Sequence, residues 1–256
     1  MQITLIRHGK YLPSNGHLTR DGIEETIGTA LLLGNAAVGD KLEKPQPDWQ
    51  LDKSGFLCPS DLLSPEYQTH VLPPDLILSS SALRAKETAF TFAEQLKQAK
   101  VKPEIRYNVA YLNEPASDEH ENNKLEKTLG LIQRLAKDGK QHVVLISHQP
   151  NIYALLNLLK KDTSTPKIPG VKIPENSVAY TFTNVNPENI GKEKYILQQR
   201  AFEHSYNLRN AFFSTLPLFG ISVLSVDDIL WKMPDFMFND RMEALKRARE
   251  SGHGKV

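Results

Sequence analysis

The sequence predicts an α/β fold, a three-layer α/β/α sandwich whose central sheet is mostly parallel. Three observations predict it. Short runs such as VVLIS are almost wholly apolar, as strands covered on both faces must be. Between those runs lie longer segments with apolar residues at helical spacing. The two kinds of segment alternate along most of the chain, which is the pattern of helices crossing back over a parallel sheet.

Taken in order, the strands are expected at Gln2–Ile6, Asp75–Ser79, His142–Ser147, Ser177–Val185 and Tyr195–Arg200. The first helix, Gly22–Leu33, places Ile23, Ile27, Ala30 and Leu31 on one face. The second, Leu83–Leu96, does so with Ala85, Ala89, Phe92 and Leu96, and a third, Lys124–Lys137, with Leu125, Leu129, Ile132 and Leu135. Asn151–Lys161 is the fourth. Residues 34–74, rich in Pro, Asp, Lys and Gly, are expected to form a long surface insertion able to cover a pocket. These elements make residues 1–204 one catalytic-size domain, and 205–256 a C-terminal appendage: an apolar segment, then a charged helix over Asp240–Glu250.

Composition excludes several classes. The 31 Lys+Arg stand against 30 Asp+Glu, with no clustered basic excess of the kind that neutralises a nucleic-acid backbone. Nucleic acid is therefore not an expected partner. The longest apolar stretch, Ala211–Leu224, contains Pro217 and Gly220 and falls short of the roughly 20 residues that span a bilayer. No integral membrane segment is expected. Met1 leads straight into a strand-like run without a secretory leader, and a single cysteine, Cys58, allows no internal disulfide; both suggest a cytoplasmic protein.

Ligands of α/β sheets gather at the carboxyl ends of strands, so the residues there matter most. The first strand ends in Arg7-His8-Gly9, the DLILSS strand delivers Ser80 and then Arg84, and VVLIS ends in His148. If these strands are parallel neighbours, two guanidiniums and two imidazoles meet in one crevice. Such a cluster offers many donors and no fixed negative charge, and its forks match a tetrahedral oxyanion. Phosphate is the natural ligand. Gly9 suits a backbone that turns sharply or admits a close neighbour.

LIRHG, LSSSALRAKETA and VVLISH resemble, in the right order, the three signature segments of the histidine phosphatase superfamily, the phosphoglycerate-mutase-like proteins. LTRDG (Leu18–Gly22) and PENSVAYTF (Pro174–Phe182) resemble further elements of that family, so the likeness covers roughly residues 1 to 200. The resemblance implies a phosphoglycerate-mutase-like fold and phosphoryl transfer through His8 as nucleophile, its other ring nitrogen donating to a backbone carbonyl. It implies that Arg7, Arg84 and His148 hold the phosphoryl oxygens, with His148 also catalytic, and that neither metal nor other cofactor takes part. Gly9, Lys10 and Ser80 are candidates to support them. The general acid implied is Glu114, with Glu121 at the family's seven-residue spacing; His120 and Asn122 stand where the family has Trp and Gly, and Asp118 and Glu119 are substitutes.

The expected activity is metal-independent hydrolysis of a phosphomonoester, on a phosphorylated small molecule or a phosphoprotein. ISHQP is similar to the SixA-like phosphohistidine phosphatases, which makes a phosphoprotein or phosphohistidine phosphatase the first alternative. The short Gly9–Leu18 segment disfavours a phosphoglycerate-type mutase. A phosphate-binding module without turnover is the remaining alternative, with a protein partner docked on the C-terminal appendage.

Overall fold

The computed structural model describes residues 1–38, 49–51, 57–59, 71–114, 118–160, 175–195, 197–200 and 222–250. Its centre is a six-stranded sheet. The strands are β1 (Gln2–Arg7), β4 (Leu76–Ser79), β5 (Glu104–Arg106), β6 (His142–Ser147), β7 (Ala179–Phe182) and β8 (Leu197–Arg200), in the order β5-β4-β6-β1-β7-β8. β5, β4, β6 and β1 are parallel; β7 runs antiparallel to both β1 and β8. The five expected strands are all present. β5 is additional, a three-residue edge strand whose only apolar side chain is Ile105.

Alternation along the strands divides the core. Ile3 and Leu5 of β1, Leu76 and Leu78 of β4, and Val143 and Leu145 of β6 point to one face. There they pack with Ile132 and Leu135 of α3 (Asp118–Lys137) and with Ile152 and Leu155 of α4 (Gln149–Leu159). Ile6, Ile77, Val144 and Ile146 point to the other, against Ala30 and Leu33 of α1 (Arg20–Val38) and Ala85, Ala89 and Phe92 of α2 (Leu83–Gln98). Two helices lie on each face, which is the sandwich the sequence predicts. Thr4, a polar residue buried inside the sheet, is satisfied: its hydroxyl bonds His142 Nε2 at 2.8 Å and the Thr181 hydroxyl at 2.9 Å.

Several boundaries differ from the sequence expectation. α1 runs through Gly34 to Val38, because a Cβ at Gly34 would stand 3.2 Å from Leu96 Cδ2; this glycine serves a close helix crossing and does not end the helix. α3 begins at Asp118 and not at Lys124, so Asp118, Glu119 and Glu121 belong to its first turns. Within 34–74, Trp49–Leu51 (β2) and Leu57–Pro59 (β3, containing Cys58) form an antiparallel pair, and Val71 is fully buried. The expected insertion is therefore shorter than 34–74 and partly structured.

The attachment points of that insertion face away from the strand ends that carry chemistry. Val71 packs with Leu33 and Leu96, and the Leu72 amide donates to the Gln2 side chain at 2.9 Å. The Leu72 carbonyl lies 2.6 Å from His142 Nδ1. Gln2 and His142 open β1 and β6, so the chain re-enters at the amino edge of the sheet, about 16 Å of strand away from Arg7 and Ser147.

Residues 222–250 pack against α1 and α2. α5 (Val226–Trp231) opens with a capping box, in which Ser225 and Asp228 each bond the other's backbone N–H. Ile229, Met233 and Met237 are buried with Leu18, Ile23, Ile27 and Phe90. The charged helix, α6, starts at Asp235 and not at Asp240, and runs to Glu250. Trp231, Phe236, Phe238 and Met242 remain exposed. Residues 161–174, and residues 201–221 with most of the expected apolar segment, lie outside the described residues. No helix among the described residues is long and apolar enough to cross a membrane.

Candidate active site

The parallel register of β1 and β6 pairs Arg7 with Ser147, so His8 and His148 each stand one residue beyond the last pair, at the same level. The His8 amide extends the ladder by donating to the Ser147 carbonyl at 3.0 Å. The two imidazoles lie 5.2 Å apart, centroid to centroid. His148 is also the residue that caps α4, which Pro150 enters in its first turn.

Arg84, in the first turn of α2, reaches between the two rings. Its Nε donates to His8 Nε2 at 3.1 Å, and one Nη bonds both His148 Nδ1 and Glu114 Oε2 at 3.1 Å. A guanidinium only donates, so His8 Nε2 and His148 Nδ1 must both be unprotonated acceptors. It follows that His8 Nδ1 carries the proton and gives it to the Gly9 carbonyl at 2.9 Å, and that His148 Nε2–H is directed to Ser80 Oγ at 2.9 Å. The tautomer of each ring is thus set by its neighbours.

Burial agrees with this assignment. Desolvation pushes His8 down to about 4, helped by Arg84 and Arg7 and opposed by the Gly9 hydrogen bond. His148 is pushed down to about 3, first by burial and then by His8, Arg84, Lys124 and Arg7. Both rings are neutral near pH 7. Burial also lowers the Arg7 guanidinium, an effect that Tyr11 and Tyr180 oppose and Arg84 adds to.

The backbone around His8 is held tightly. The Gly9 amide donates to Thr88 Oγ1, one turn along α2 from Arg84, at 2.9 Å. A Cβ on Gly9 would lie 2.9 Å from the Gly22 carbonyl, and one on Gly22 2.2 Å from the Lys10 carbonyl. These two glycines let the strand end and the start of α1 pack backbone to backbone. Lys10 carries its ammonium to Glu25 of α1, at 2.5 Å.

Glu114 stands differently. Its carboxylate is 57% exposed, 3.1 Å from Arg84 and 4.0 Å from His148 Nδ1, on a short segment after the 3-10 turn Ala110–Leu112. That segment is clamped from three sides. Asn113 Oδ1 accepts from the Ser81 amide and hydroxyl, Lys124 Nζ donates to the Asn113 and Glu114 carbonyls, and Asn151 Nδ2 donates to the Leu112 and Asn113 carbonyls. Asp118, Glu119 and Glu121 belong to α3, and their side chains lie outside the described residues.

The structure therefore brings Arg7, His8, Arg84, Glu114 and His148 to one edge of the sheet, with Gly9 and Ser80 supporting them. Sequence reasoning did not find Tyr11, Thr88, Lys124 or Asn151. Of these, Asn151 carried a signal, being three residues after His148 in the first turn of α4.

Fold and site together define an α/β-sandwich protein with a cationic, two-histidine cluster at the carboxyl edge of its parallel strands. No family model and no curated protein matches the sequence. Among solved structures, the chain is similar to the protein histidine phosphatase SixA complexed with tungstate, at 19% identity and TM-score 0.44, over 78% of this chain and 97% of that one. It is similar to a mycobacterial glucosyl-3-phosphoglycerate phosphatase complexed with VO3, at 14% identity and TM-score 0.42, over 80% and 99%. A third is the alpha-ribazole phosphatase from Shigella flexneri, at 16% identity and TM-score 0.38, over 79% and 96%.

Proposed function

We propose that this chain is a metal-independent phosphatase that hydrolyses phosphomonoesters through a phosphohistidine on His8. The observation that carries the proposal is His8 itself: a buried, neutral imidazole with Nδ1 anchored on the Gly9 carbonyl and Nε2 aimed between a guanidinium and a second histidine.

Nε2 attacks phosphorus in line, forming the N–P bond as the ester P–O bond breaks. Arg7, Arg84 and His148 gather the three phosphoryl oxygens, where charge accumulates. In the free protein Arg84 bonds the ring nitrogens and Glu114; phosphoryl oxygens replace those acceptors when substrate enters. A bound dianion favours a proton on His148 Nδ1, which turns this nitrogen from acceptor to donor toward the phosphoryl group. Glu114 gives its proton to the departing alcohol oxygen, then takes one from the water that cleaves the N–P bond. Inorganic phosphate leaves and His8 is restored.

The test is hydrolysis of p-nitrophenyl phosphate combined with rapid base-quench trapping of labelled phosphoenzyme. Turnover with a base-stable, acid-labile phosphoryl group that disappears in His8→Ala is the expected result. Turnover that survives His8→Ala overturns the proposal.

A phosphoprotein or phosphohistidine substrate is a second reading, favoured by the tight turn beside the site. The Leu12 amide donates to the His17 carbonyl at 2.9 Å and Gly16 N to Leu12 O at 2.7 Å, so this segment forms no long wall over the exposed Glu114. Comparing phosphopeptides with phosphometabolites separates the two. Transfer to a second alcohol in place of water is the outcome that defines a mutase.

A further inference from the structure

One aromatic residue touches two of the four side chains proposed to meet the phosphoryl group, and none of the chemistry above uses it. The Tyr11 ring meets His8 edge-on, with centroids 5.2 Å apart and planes at 83°. The Arg84 guanidinium carbon lies 4.6 Å from the centroid of the same ring. A guanidinium over an aromatic face is attracted by the ring quadrupole, more strongly where water is thinned out. Arg84 is thus held by hydrogen bonds on its donor edge and by Tyr11 on its face.

The segment that carries Tyr11 is braced from the far end of the chain. Tyr11 bridges Leu18 across the turn closed by the Leu12–His17 hydrogen bond, with Gly16 at φ +76°. The Leu18 amide donates to Glu87 Oε2 at 2.6 Å. Glu87 is 1% exposed, lies three residues after Arg84 in α2, and accepts on its other oxygen from Arg241 Nη1 of α6 at 3.2 Å. A carboxylate buried this deeply needs a cation beside it. Burial raises the Glu87 carboxyl and Arg241 opposes that shift. Lys86–Asp240, at 2.9 Å, fixes α6 one residue away on both helices.

We propose that Tyr11 is a positioning residue for the phosphoryl-binding Arg84, and that Arg241 of the C-terminal helix sets Tyr11 in place by neutralising Glu87 beneath its turn. The inference rests on the phosphatase reading and deepens it. It makes residues 235–250 part of the apparatus that shapes the phosphate site, although none of them touches the phosphoryl group.

The experiment compares the full-length protein with Tyr11→Phe, Tyr11→Leu, Arg241→Met and the double variant Arg241→Met/Glu87→Gln. For each, kcat and KM on p-nitrophenyl phosphate, the inhibition constant of inorganic phosphate and the thermal midpoint are measured. Tyr11→Leu should raise KM and the phosphate inhibition constant about tenfold, while Tyr11→Phe, which keeps the ring, stays close to the parent. Arg241→Met should raise the same constant about fivefold, and Glu87→Gln added to it should restore most of the loss, since an amide accepts from Leu18 N without needing a counter-ion. Should Arg241→Met fail to fold, Arg241→Gln gives the same reading with a donor retained toward Glu87.

An unchanged phosphate constant in Tyr11→Leu overturns the positioning role. A lowered thermal midpoint in the Arg241 variants without a change in that constant reduces the brace to a stabilising contact and overturns it too. A parent protein that neither hydrolyses the aryl phosphate nor binds phosphate removes the phosphatase reading with it. A parent that is active and indifferent to Tyr11→Leu removes this inference alone.

Discussion

The two halves of the candidate site are built to different standards. His8 and His148 are extensions of two buried parallel strands, each nearly without exposure, with every ring nitrogen in a hydrogen bond. Glu114 projects from a non-helical, non-strand segment, more than half exposed, and is placed only because Ser81, Lys124 and Asn151 grip the backbone around it. In the proposed mechanism the strand half holds the phosphoryl group and must not move, since attack distance and line are set there. In the same mechanism the Glu114 half has to accept whatever alcohol the phosphate is attached to, and a clamped segment can be re-aimed by changing its grips.

Perturbations of the two halves should therefore differ in kind. The largest effect is expected at the proposed nucleophile: His8→Ala should lower kcat on p-nitrophenyl phosphate by about 10⁵-fold and abolish the trapped phosphoenzyme. Arg84→Met, measured the same way, should cost about 10³-fold for good and poor leaving groups alike, because it acts on the phosphoryl oxygens.

A third consequence is a pH-dependent stability confined to the strand half. His8 and His148 have folded-state values of about 4 and about 3, below the ordinary histidine value of 6.5. Between those limits the unfolded chain binds protons that the folded one refuses, so stability present above pH 6.5 is lost as pH falls. His8 alone should account for about 3 kcal/mol between pH 7 and pH 4 in urea unfolding, and His8→Asn should flatten the slope. Equal slopes in the two proteins would show that His8 is not buried neutral.

Glu114→Gln sharpens the contrast from the other half. In kcat/KM, which reports phosphoenzyme formation and not the later attack of water, the loss with phenyl phosphate, whose leaving group needs a proton, should be about 10²-fold; with 2,4-dinitrophenyl phosphate it should nearly vanish. Equal losses on both esters would place Glu114 with the phosphoryl binders. The smallest effect is expected for Asn151→Ala, about tenfold on phenyl phosphate, appearing in the step that Glu114 serves and sparing the dinitrophenyl ester.

The same division explains what was legible in the sequence. Arg7, His8, Arg84 and His148 were readable because each follows an apolar run that ends at the sheet's carboxyl edge, where chain order alone predicts convergence. Glu114 was readable only through a family spacing, and its grips were not, since Lys124 and Asn151 reach it from two different helices. Tyr11, Glu87 and Arg241 were invisible for a plainer reason: the Glu87–Arg241 contact spans 154 residues of chain. Among the elements, β5 was missed because Glu-Ile-Arg has one apolar residue and no alternation to detect. α1 was cut short because Gly34 has the appearance of a stop signal until Leu96 is seen beside it.

The register of β1 and β6 has a bearing on which changes of length this chain can absorb. Because Arg7 pairs with Ser147, adding or removing one residue in either strand would carry one histidine to the opposite face of the sheet and leave its partner behind. Leu72, by contrast, is bonded at the other edge, to Gln2 and His142, where no histidine of the site is set. A single-residue deletion in VVLIS should thus separate His148 from His8 and abolish the hydrolysis proposed for them, even where the sheet still forms.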